Sequence, residues 1–297
     1  MQRAAALRRV LSALAVLTLA AGCSLLSGDR QGSLAKHTLY VVNDAQRLIA
    51  IDAGQPGKPL SDRPLAGLQP GERVLGIDYR VARGQLFALG SSGLLYRIDT
   101  AAAAATPVGG VLSVSLRGQE FGVDFNPTVD RIRVVSDAGQ NLRLHPDTGA
   151  VIDADPAAEG VQTDAPLAWA AGDRNAGRPL ALVAAAYSYN KVDEKITTNY
   201  AIDAANRVLV IQGSKEGTTP VVSPNTGRLT TVGALRVGGF DRASFDIADI
   251  DNAAYAAFTA PFARESTLYR IDLATGEATR IGVIAGGRAV AGLAIEP

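Results

Sequence analysis

The sequence feature that most constrains this fold is a short unit that recurs along the chain with a spacing of 46 residues. Gly76–Tyr79 and Gly122–Phe125 are 46 positions apart, and each has the pattern Gly-x-Asp-x with apolar residues at x. Ser244–Ile247 has a similar form, Ala168–Ala171 begins another 46 positions after Gly122, and Gly292–Ile295 fits with Ala in place of Asp. Short apolar runs of this kind are typical of strands that are covered on both faces. A fixed period of this length predicts a repeat architecture.

Each unit continues with signals for three further strands. An aligned apolar strand follows the Asp, and the next turn glycines, Gly93 and Gly139, are again 46 positions apart. Glycine permits the positive φ that a tight hairpin requires. Four short strands in about 40–50 residues are typical of one blade of a β-propeller. The third strands end in a shared Ile-Asp pair whose carboxylate is expected to bond the following turn, at Asp52, Asp99, Asp203 and Asp272.

Five such units predict an all-β fold, a five-bladed β-propeller. The first unit begins at a second strand, Thr38–Val42, and the last strand, Ala289–Ile295, is a first strand, so we expect both to share one blade. Sharing a blade closes the ring and covers two sheet edges. The predicted blades span 38–68 with 289–297, 74–112, 120–160, 166–236 and 243–286.

The fourth unit is longer than the others, which leaves the blade count open. From Ala168 to Phe245 is 77 residues, too many for one repeat and too few for two. We interpret this stretch as one blade with polar loop insertions at Tyr189–Thr197 and Gly213–Pro220. Six blades is the alternative.

Residues 1–22 have the organisation of a secretory signal. Three arginines precede an apolar run at Val10–Ala20, and small residues lead to Cys23. The run is too short to span a bilayer as a helix in the mature protein. Leu-Ala-Ala-Gly-Cys resembles the lipobox of bacterial lipoproteins, which implies that Cys23 is lipidated after cleavage. The alternative is an incidental thiol in a plain signal peptide.

The lipobox resemblance predicts the location of the protein. Ser24 follows Cys23 where aspartate would imply retention, so we expect a lipid anchor in the outer membrane, with the domain facing the periplasm or the cell surface. The polar residues 23–37 are predicted to be a flexible tether, and residues 38–297 a single propeller domain.

Charge and cysteine content narrow the possible partners. Without the three arginines of the leader the chain has 26 basic and 29 acidic residues, which argues against nucleic-acid binding. Cys23 is the only cysteine, so the domain has no internal disulfide and depends on its core. We expect a monomer that contacts the membrane through its lipid and binds an envelope protein, peptide or glycan.

Several long motifs resemble one known family. They occupy residues 121–144, 198–203, 224–233 and 268–272. With them the chain looks like the bacterial domain-of-unknown-function family 4394, whose members are exported, propeller-like lipoproteins. The resemblance covers about residues 38–297. It implies the propeller fold, and it implies no activity, because the family has no assigned chemistry and no catalytic residues to transfer.

Three aspartates form the sharpest candidate site. Asp78, Asp124 and Asp246 each occupy a predicted first strand, the strand nearest the propeller axis, and each alternates with apolar neighbours. Converging carboxylates there would hold a hard cation such as Ca²⁺. The alternative is structural, with each Asp accepting backbone N–H bonds from an adjacent blade or turn. Two blades carry Ala170 and Ala294 at this position, so the set is incomplete.

A tyrosine-rich segment is the second candidate. Tyr187, Tyr189 and Tyr200 surround the insertion of the fourth blade. We expect this loop to join the second and third strands and its tyrosines to be exposed for ligand recognition; the alternative is a solvated hairpin tip. Trp169 aligns with apolar positions of the other first strands, so we expect it in the core.

No complete catalytic constellation is present in the sequence. Its two histidines, His37 and His145, are not placed to be partners, and no nucleophile elbow or His-Glu-x-x-His motif occurs. The primary hypothesis is therefore a non-enzymatic binding or scaffold propeller with no cofactor beyond a possible Ca²⁺. The alternative is a small-molecule hydrolase or lactonase that uses a cation in the central channel, which is an analogy at the level of the fold.

Overall fold

The computed structural model describes residues 35–297, and their regular structure is almost entirely strand. Two 3₁₀ turns, Val81–Arg83 and Pro224–Thr226, are the helical elements of these residues. In chain order the strands are β1 (Thr38–Asn43), β2 (Arg47–Asp52), β3 (Pro59–Pro64), β4 (Val74–Arg80), β5 (Gln85–Gly90), β6 (Leu95–Asp99), β7 (Ala104–Val108), β8 (Phe121–Asn126), β9 (Arg131–Ser136), β10 (Asn141–Leu144), β11 (Ala168–Trp169), β12 (Leu182–Tyr187), β13 (Asn199–Asp203), β14 (Val208–Gln212), β15 (Arg228–Ala234), β16 (Arg242–Ile247), β17 (Ala254–Thr259), β18 (Thr267–Ile271), β19 (Ala278–Val283) and β20 (Val290–Ile295).

These strands form five small sheets that are the blades of a five-bladed propeller, so five blades are confirmed and six are excluded. Blade one is β20-β1-β2-β3, blade two is β4 to β7, and blade three is β8 to β10 with a single bridge, Leu144 to Val151, in place of a fourth strand. Blade four is β12 to β15 with β11 outside it, and blade five is β16 to β19. The inner strands β4, β8, β12, β16 and β20 contact one another in ring order.

The predicted sharing of blade one between distant parts of the chain is confirmed. β1 pairs antiparallel with β20, with Leu39 opposite Ile295 and Val41 opposite Leu293. On its other side β1 pairs with β2. Both edges of β1 are therefore hydrogen bonded, which removes a site for edge-to-edge aggregation.

The inner strand of blade four lies in a different place from the prediction. Ala168–Trp169 forms the short outermost strand β11, which pairs parallel with β15, and the inner strand is β12. Leu182–Tyr187 is a six-residue apolar run that is buried throughout, as a strand covered on both faces requires. Trp169 is only partly buried, and its indole N–H donates to Arg178 O at 3.1 Å.

The first described residues, 35–37, belong to the predicted tether but contact the propeller. The Ala35 N–H donates to Asp52 Oδ1, and the Ala53 N–H donates to His37 O. His37 is buried against the Tyr255 hydroxyl at 3.1 Å. The last residues assigned to the tether therefore pack on blade one and blade five. The rest of the tether and the predicted signal lie outside the described residues.

Small residues let the inner strands approach the axis. A Cβ atom on Gly76 would lie 2.6 Å from Val123 Cγ2 of the next blade, and one on Gly122 would lie 2.5 Å from Ala185 N. The corresponding residue on blade one, Gly292, would place a Cβ 2.7 Å from Ile77 N. These separations are shorter than real Cβ contacts, so the first position of the Gly-x-Asp unit is small because the inner strand of the neighbouring blade lies against it.

The ring has five interfaces between neighbouring blades. Four of them are mainly apolar, and one contains charged side chains. Where blade four meets blade five, large side chains from both sheets form one core cluster, and the contacts of blade one with blades two and five and of blade two with blade three are similar. The contact of blade three with blade four takes a single core residue, Val135, from blade three. Charged side chains fill the remaining space, as described below.

Candidate functional site

The structure brings the three predicted aspartates together at the axis. Asp78, Asp124 and Asp246 lie on β4, β8 and β16, and each is at most 5% exposed. One carboxylate oxygen from each can be chosen so that all three lie within 4.8 Å of one another. Since Ca²⁺–oxygen distances are about 2.3–2.6 Å, two ligands on opposite sides of such an ion are about this far apart.

Each aspartate also connects two blades. The Phe125 N–H donates to Asp78 Oδ2 at 2.6 Å, the Tyr187 N–H donates to Asp124 Oδ1 at 2.9 Å, and the Ile295 N–H donates to Asp246 Oδ2 at 2.6 Å. The acceptor lies on one inner strand and the donor on the inner strand of the next blade. The structural role expected for these carboxylates is therefore confirmed, and it leaves further lone pairs on each carboxylate.

Alanine occupies the same position on the other two inner strands. Tyr187 and Ile295, the donors named above, directly follow Ala186 and Ala294, which places these alanines level with the aspartates. The expectation that Ala294 occupies the aspartate position is confirmed. The same expectation for Ala170 is wrong, because Ala170 lies beyond the outer strand β11. The spacing of 46 residues failed here because the connection into blade four is longer than in the other blades.

Burial and mutual repulsion disfavour three charges at the axis. Burial, and then the charge of Asp246, raises the pKa of Asp78 well above its usual value. Burial, and then the charges of Asp78 and Asp246, does the same to the pKa of Asp124. Burial raises the pKa of Asp246 to about 7. No lysine or arginine of the described residues pairs with these carboxylates, so the cluster requires protons or a cation for neutralisation.

The axis is nearly filled beside the aspartates. The inner strands enclose a void of about 10 Å³ lined by residues such as Ile77, Val123 and Phe245. That is the space of about one water molecule. None of the three aspartates lines this void.

The loop that contains the predicted insertion joins the first and second strands of blade four. The expectation that it joins the second and third strands is therefore wrong. Residues 188–198 connect β12 to β13, and β12 is the inner strand. Because successive strands of a blade are antiparallel, this loop lies at the end of the ring that is opposite to the blade-to-blade connections. We call this end the loop face. Its other first-to-second-strand loops are 81–84, 127–130 and 248–253, and the second predicted insertion is also on it, in loop 213–227.

The three tyrosines differ in exposure. Tyr187 and Tyr200 are 2% and 4% exposed, so the expectation that they are exposed is wrong. Both lie on strands that are sandwiched between blades, where an aromatic ring contributes to the core. Tyr189 is partly buried, and burial followed by the charges of Asp78, Asp124 and Asp246 raises the pKa of its hydroxyl. Its ring therefore lies near the aspartate cluster, on the loop face.

Asn252 of blade five fixes the backbone of Tyr189. The Tyr189 N–H donates to Asn252 Oδ1 at 2.7 Å, and Asn252 Nδ2 donates to Tyr189 O at 2.8 Å. A cleft of about 300 Å³ lies beside Tyr189, between Arg80, Phe125 and Ile196. A second cleft of about 250 Å³ lies on the other side of the loop, where Thr197 and Asn199 face loop 213–227.

Sequence reasoning missed a buried charged network between blade three and blade four. Arg133 is 2% exposed and donates to Asp164 Oδ2 at 2.6 Å, while Arg143, opposite it on β10, donates to both oxygens of the same carboxylate. Asp164 is 1% exposed. Arg133 also donates to the Tyr187 hydroxyl at 3.2 Å and to Asn225 Oδ1 at 2.7 Å. Alternating arginines in an apolar strand were a possible signal, but their partners are remote in sequence.

The remaining candidates have structural partners. His37 Nε2 lies 3.2 Å from Asp251 Oδ1, and His145 Nδ1 accepts the Asp147 N–H. The two histidines belong to different blades, as the sequence suggested. The aspartates after the third strands bond the following turns as expected, since Asp52, Asp99, Asp203 and Asp272 each accept a backbone N–H two or three residues ahead. Within residues 35–297 no helix has the length and hydrophobicity needed to cross a bilayer.

Comparisons with known proteins identify a family. A family model described as "Domain of unknown function (DUF4394)" matches residues 9–294. No curated protein matches. Similar solved structures include hydrazine synthase of Kuenenia stuttgartiensis, with a TM-score of 0.38 and 13% identity over 71% of this chain and 49% of that one.

Two further structures are similar at the same level. A protein of unknown function from Bacteroides thetaiotaomicron has a TM-score of 0.46 and 15% identity over 85% of this chain and 59% of that one. A protein from Lactobacillus plantarum has a TM-score of 0.37 and 14% identity over 86% of this chain and 71% of that one. The chain thus spans about half to three fifths of the length of the first two.

Proposed function

This chain belongs to the DUF4394 family, whose description names no activity, and we propose from its own propeller geometry that it is a non-enzymatic binding propeller. The loop face is the binding surface. The observation that carries this proposal is the loop 188–198, which stands beside clefts of about 300 and 250 Å³. Longer loops held by a rigid scaffold are where propellers and similar folds place recognition.

The contacts of this loop favour a role in recognition. Asn252 holds its first residues in place, while Val192 near its tip is 97% exposed and Ile196 is 38% exposed. Loop 213–227 adds a third exposed apolar residue, Val221, at 83%. Exposed apolar residues close to preformed clefts are a frequent property of protein and peptide binding sites.

A site-specific crosslinker tests this proposal. We expect a photoreactive residue at Val192 to capture a specific product in native envelopes, and the same residue at Leu60 to capture none. Leu60 is a matched control because it is 60% exposed and lies on the outer strand of blade one. Equal labelling from both positions, or none from Val192, would contradict the assignment of the loop face.

The location is proposed from the lipobox. Leu-Ala-Ala-Gly-Cys supports processing at Cys23 and anchoring in the outer membrane, with the domain in the periplasm or at the surface. We expect Cys23→Ala to leave the membrane fraction or to accumulate unprocessed, and Ser27→Ala to behave as wild type. Correctly processed Cys23→Ala that still sediments with membranes would exclude lipid anchoring.

A second candidate function is cation binding by Asp78, Asp124 and Asp246. Their oxygens within 4.8 Å of one another and the lack of a paired base support a single Ca²⁺. Such an ion would neutralise the cluster and join three inner strands. The alternative is a hydrolase or lactonase that uses the same ion, which is an analogy at the level of the fold.

Calorimetry with CaCl₂ tests the cation. We expect one Ca²⁺ per chain in wild type and a loss of binding in Asp246→Asn, which keeps the shape of the side chain and an acceptor for the Ile295 N–H. Asp272→Asn is the matched control, because Asp272 follows β18, the third strand of blade five, and its carboxylate accepts backbone N–H groups of its own turn. Equal Ca²⁺ binding by wild type and Asp246→Asn, or no binding by wild type, would remove this candidate.

A further inference from the structure

A third cleft on the loop face lies directly above the charged network between blades three and four. Its volume is about 350 Å³, and three arginines line it: Arg131, Arg133 and Arg143. Asn126, Tyr187, Ser223 and Asn225 complete its polar lining, and no carboxylate belongs to it. We call it the arginine cleft.

The arginines of this cleft carry more positive charge than their partners neutralise. Arg133 and Arg143 share one carboxylate, Asp164. Arg131 is partly buried and donates to two backbone carbonyls, Val129 O and Asp130 O, and to no carboxylate of the described residues. The nearby carboxylate of Asp130 is already paired with Arg80. Positive charge in a partly enclosed, low-dielectric cleft attracts anions strongly.

Unused donors face the same space. Arg143 bonds Asp164 through Nε and Nη2, which leaves Nη1 available. The Tyr187 oxygen accepts a hydrogen bond from Arg133 Nε, so the hydroxyl is polarised and has its own hydrogen to donate. Donors that are charged or polarised by charge form the stronger hydrogen bonds with oxyanions, and arginine suits carboxylate and phosphate oxygens.

The cleft also has apolar lining residues. Val129 is 55% exposed, and Ile152 and Pro224 line the cleft with it. An acid group directed toward the arginines would place an attached hydrocarbon against these side chains. Burying that hydrocarbon adds affinity in proportion to its area.

We propose that the arginine cleft binds a small organic anion, with a carboxylate or phosphate on Arg131, Arg143 and Tyr187 and an apolar group on Val129, Ile152 and Pro224. Asp164 holds the guanidinium groups of buried Arg133 and partly buried Arg143 in place without cancelling their combined charge. This site is independent of the partner proposed for loop 188–198, since its contacts do not include the tip of that loop. A failure of crosslinking at Val192 would therefore leave it standing.

Titration of the purified protein with matched aromatic ligands tests the inference. The probes are benzoate, phenyl phosphate and uncharged benzamide. Calorimetry and ligand-observed NMR measure their binding. We expect saturable binding of benzoate, phenyl phosphate or both, weakening with added salt, and no binding of benzamide. Binding of phenyl phosphate alone would support the site and assign the acid group as phosphate, and benzoate alone would assign it as carboxylate.

Variants locate the binding. Arg131→Gln removes a charge that has no carboxylate partner, and we expect it to weaken the anion about tenfold, the scale of one charge-assisted hydrogen bond. Arg97→Gln, an exposed arginine on blade two, is the matched control and should bind as wild type. Val129→Asp at the rim should abolish binding by repulsion. Failure of wild type to bind either anion, equal binding of benzamide, or unchanged binding in folded Arg131→Gln would each overturn the proposal.

Discussion

At the scale of single residues, the aspartates at the axis combine two roles that conflict electrostatically. Each accepts an N–H group from the next blade, which favours the charged form, yet burial and mutual repulsion favour the neutral form. Burial prevails in all three, because their pKa values are raised. Without a cation, the ring must therefore retain protons at its axis at a pH where ordinary aspartates have lost them.

This conflict predicts a pH dependence of stability in the presence of a chelator. For Asp246 the pKa is about 7 when folded and near 4 when unfolded. A raised folded pKa contributes stability that is complete below pH 4 and is lost as the pH rises through 7, by a few kcal/mol at most. We expect the free energy of unfolding to fall between pH 5 and pH 8.

Urea denaturation with EDTA at several pH values measures this trend. Asp246→Asn should flatten it, whereas Asp272→Asn should not, because the pKa of Asp272 is lowered by backbone N–H groups of its turn and it titrates below this range. A wild-type stability that is constant or rises from pH 5 to pH 8 would contradict the raised pKa values.

At the scale of secondary structure, the spacing between inner strands decides which residues each blade accepts. The first position of the repeated unit is Gly76, Gly122 and Gly292 on three blades, and Ala184 and Ser244 on the other two. At Gly122 a Cβ would meet backbone atoms of β12. Backbone atoms cannot move aside as the end of a flexible side chain can. The glycine of the repeat is thus a requirement of packing rather than of turn formation.

Gly122→Ala is therefore expected to destabilise the protein by about 1–3 kcal/mol, the usual result of overpacking. Gly110→Ala is the control, since a Cβ there has no atom within 4 Å. Thermal denaturation of both variants measures the difference. If Gly122→Ala were as stable as Gly110→Ala, the close approach of β8 and β12 would be wrong.

The repeat predicted much of the fold because most propeller blades pair strands that are consecutive in the sequence. The positions of Asp78 and Asp124 followed from spacing and that of Asp246 from the repeated pattern, and the structure brings them together. Blade four was misaligned because its inner strand, Leu182–Tyr187, contains no Asp and follows a long connection, so the nearest apolar run at the expected spacing was chosen. The burial of Tyr187 depended on that alignment.

The charged network was beyond prediction for a different reason. Arg133 and Arg143 occupy adjacent strands of one blade, which the repeat could have paired. Their carboxylate, Asp164, lies in an irregular connection, and Asn225 lies in a loop of the next blade, 92 residues after Arg133. No periodicity relates such partners, because loops carry no register.

At the scale of the whole molecule, one strand pairing closes the ring. β20 contacts β1 in its own sheet and β4 and β16 as neighbours, so it belongs to blade one and to the axis. Asp246 adds a bond from blade five to Ile295. Losing this strand removes the closure and exposes an edge of β1.

Deletion of residues 289–297 is expected to abolish cooperative unfolding and to produce aggregates. Deletion of Pro297 alone should change neither property, because it lies beyond β20. Size-exclusion chromatography and thermal denaturation distinguish the two. A monomeric deletion variant with an intact unfolding transition would show that the ring does not need its last strand.

The pairing of β1 with β20 also determines when folding can finish. Thr38–Asn43 leaves the ribosome early, but its partner Val290–Ile295 is made only after roughly 240 more residues, and such distant contacts form slowly. Blades two to five can assemble from neighbouring segments during synthesis, while in blade one the edge of β1 that faces β20 stays unpaired. Nascent chains halted before Val290 should therefore be the form that holding chaperones retain.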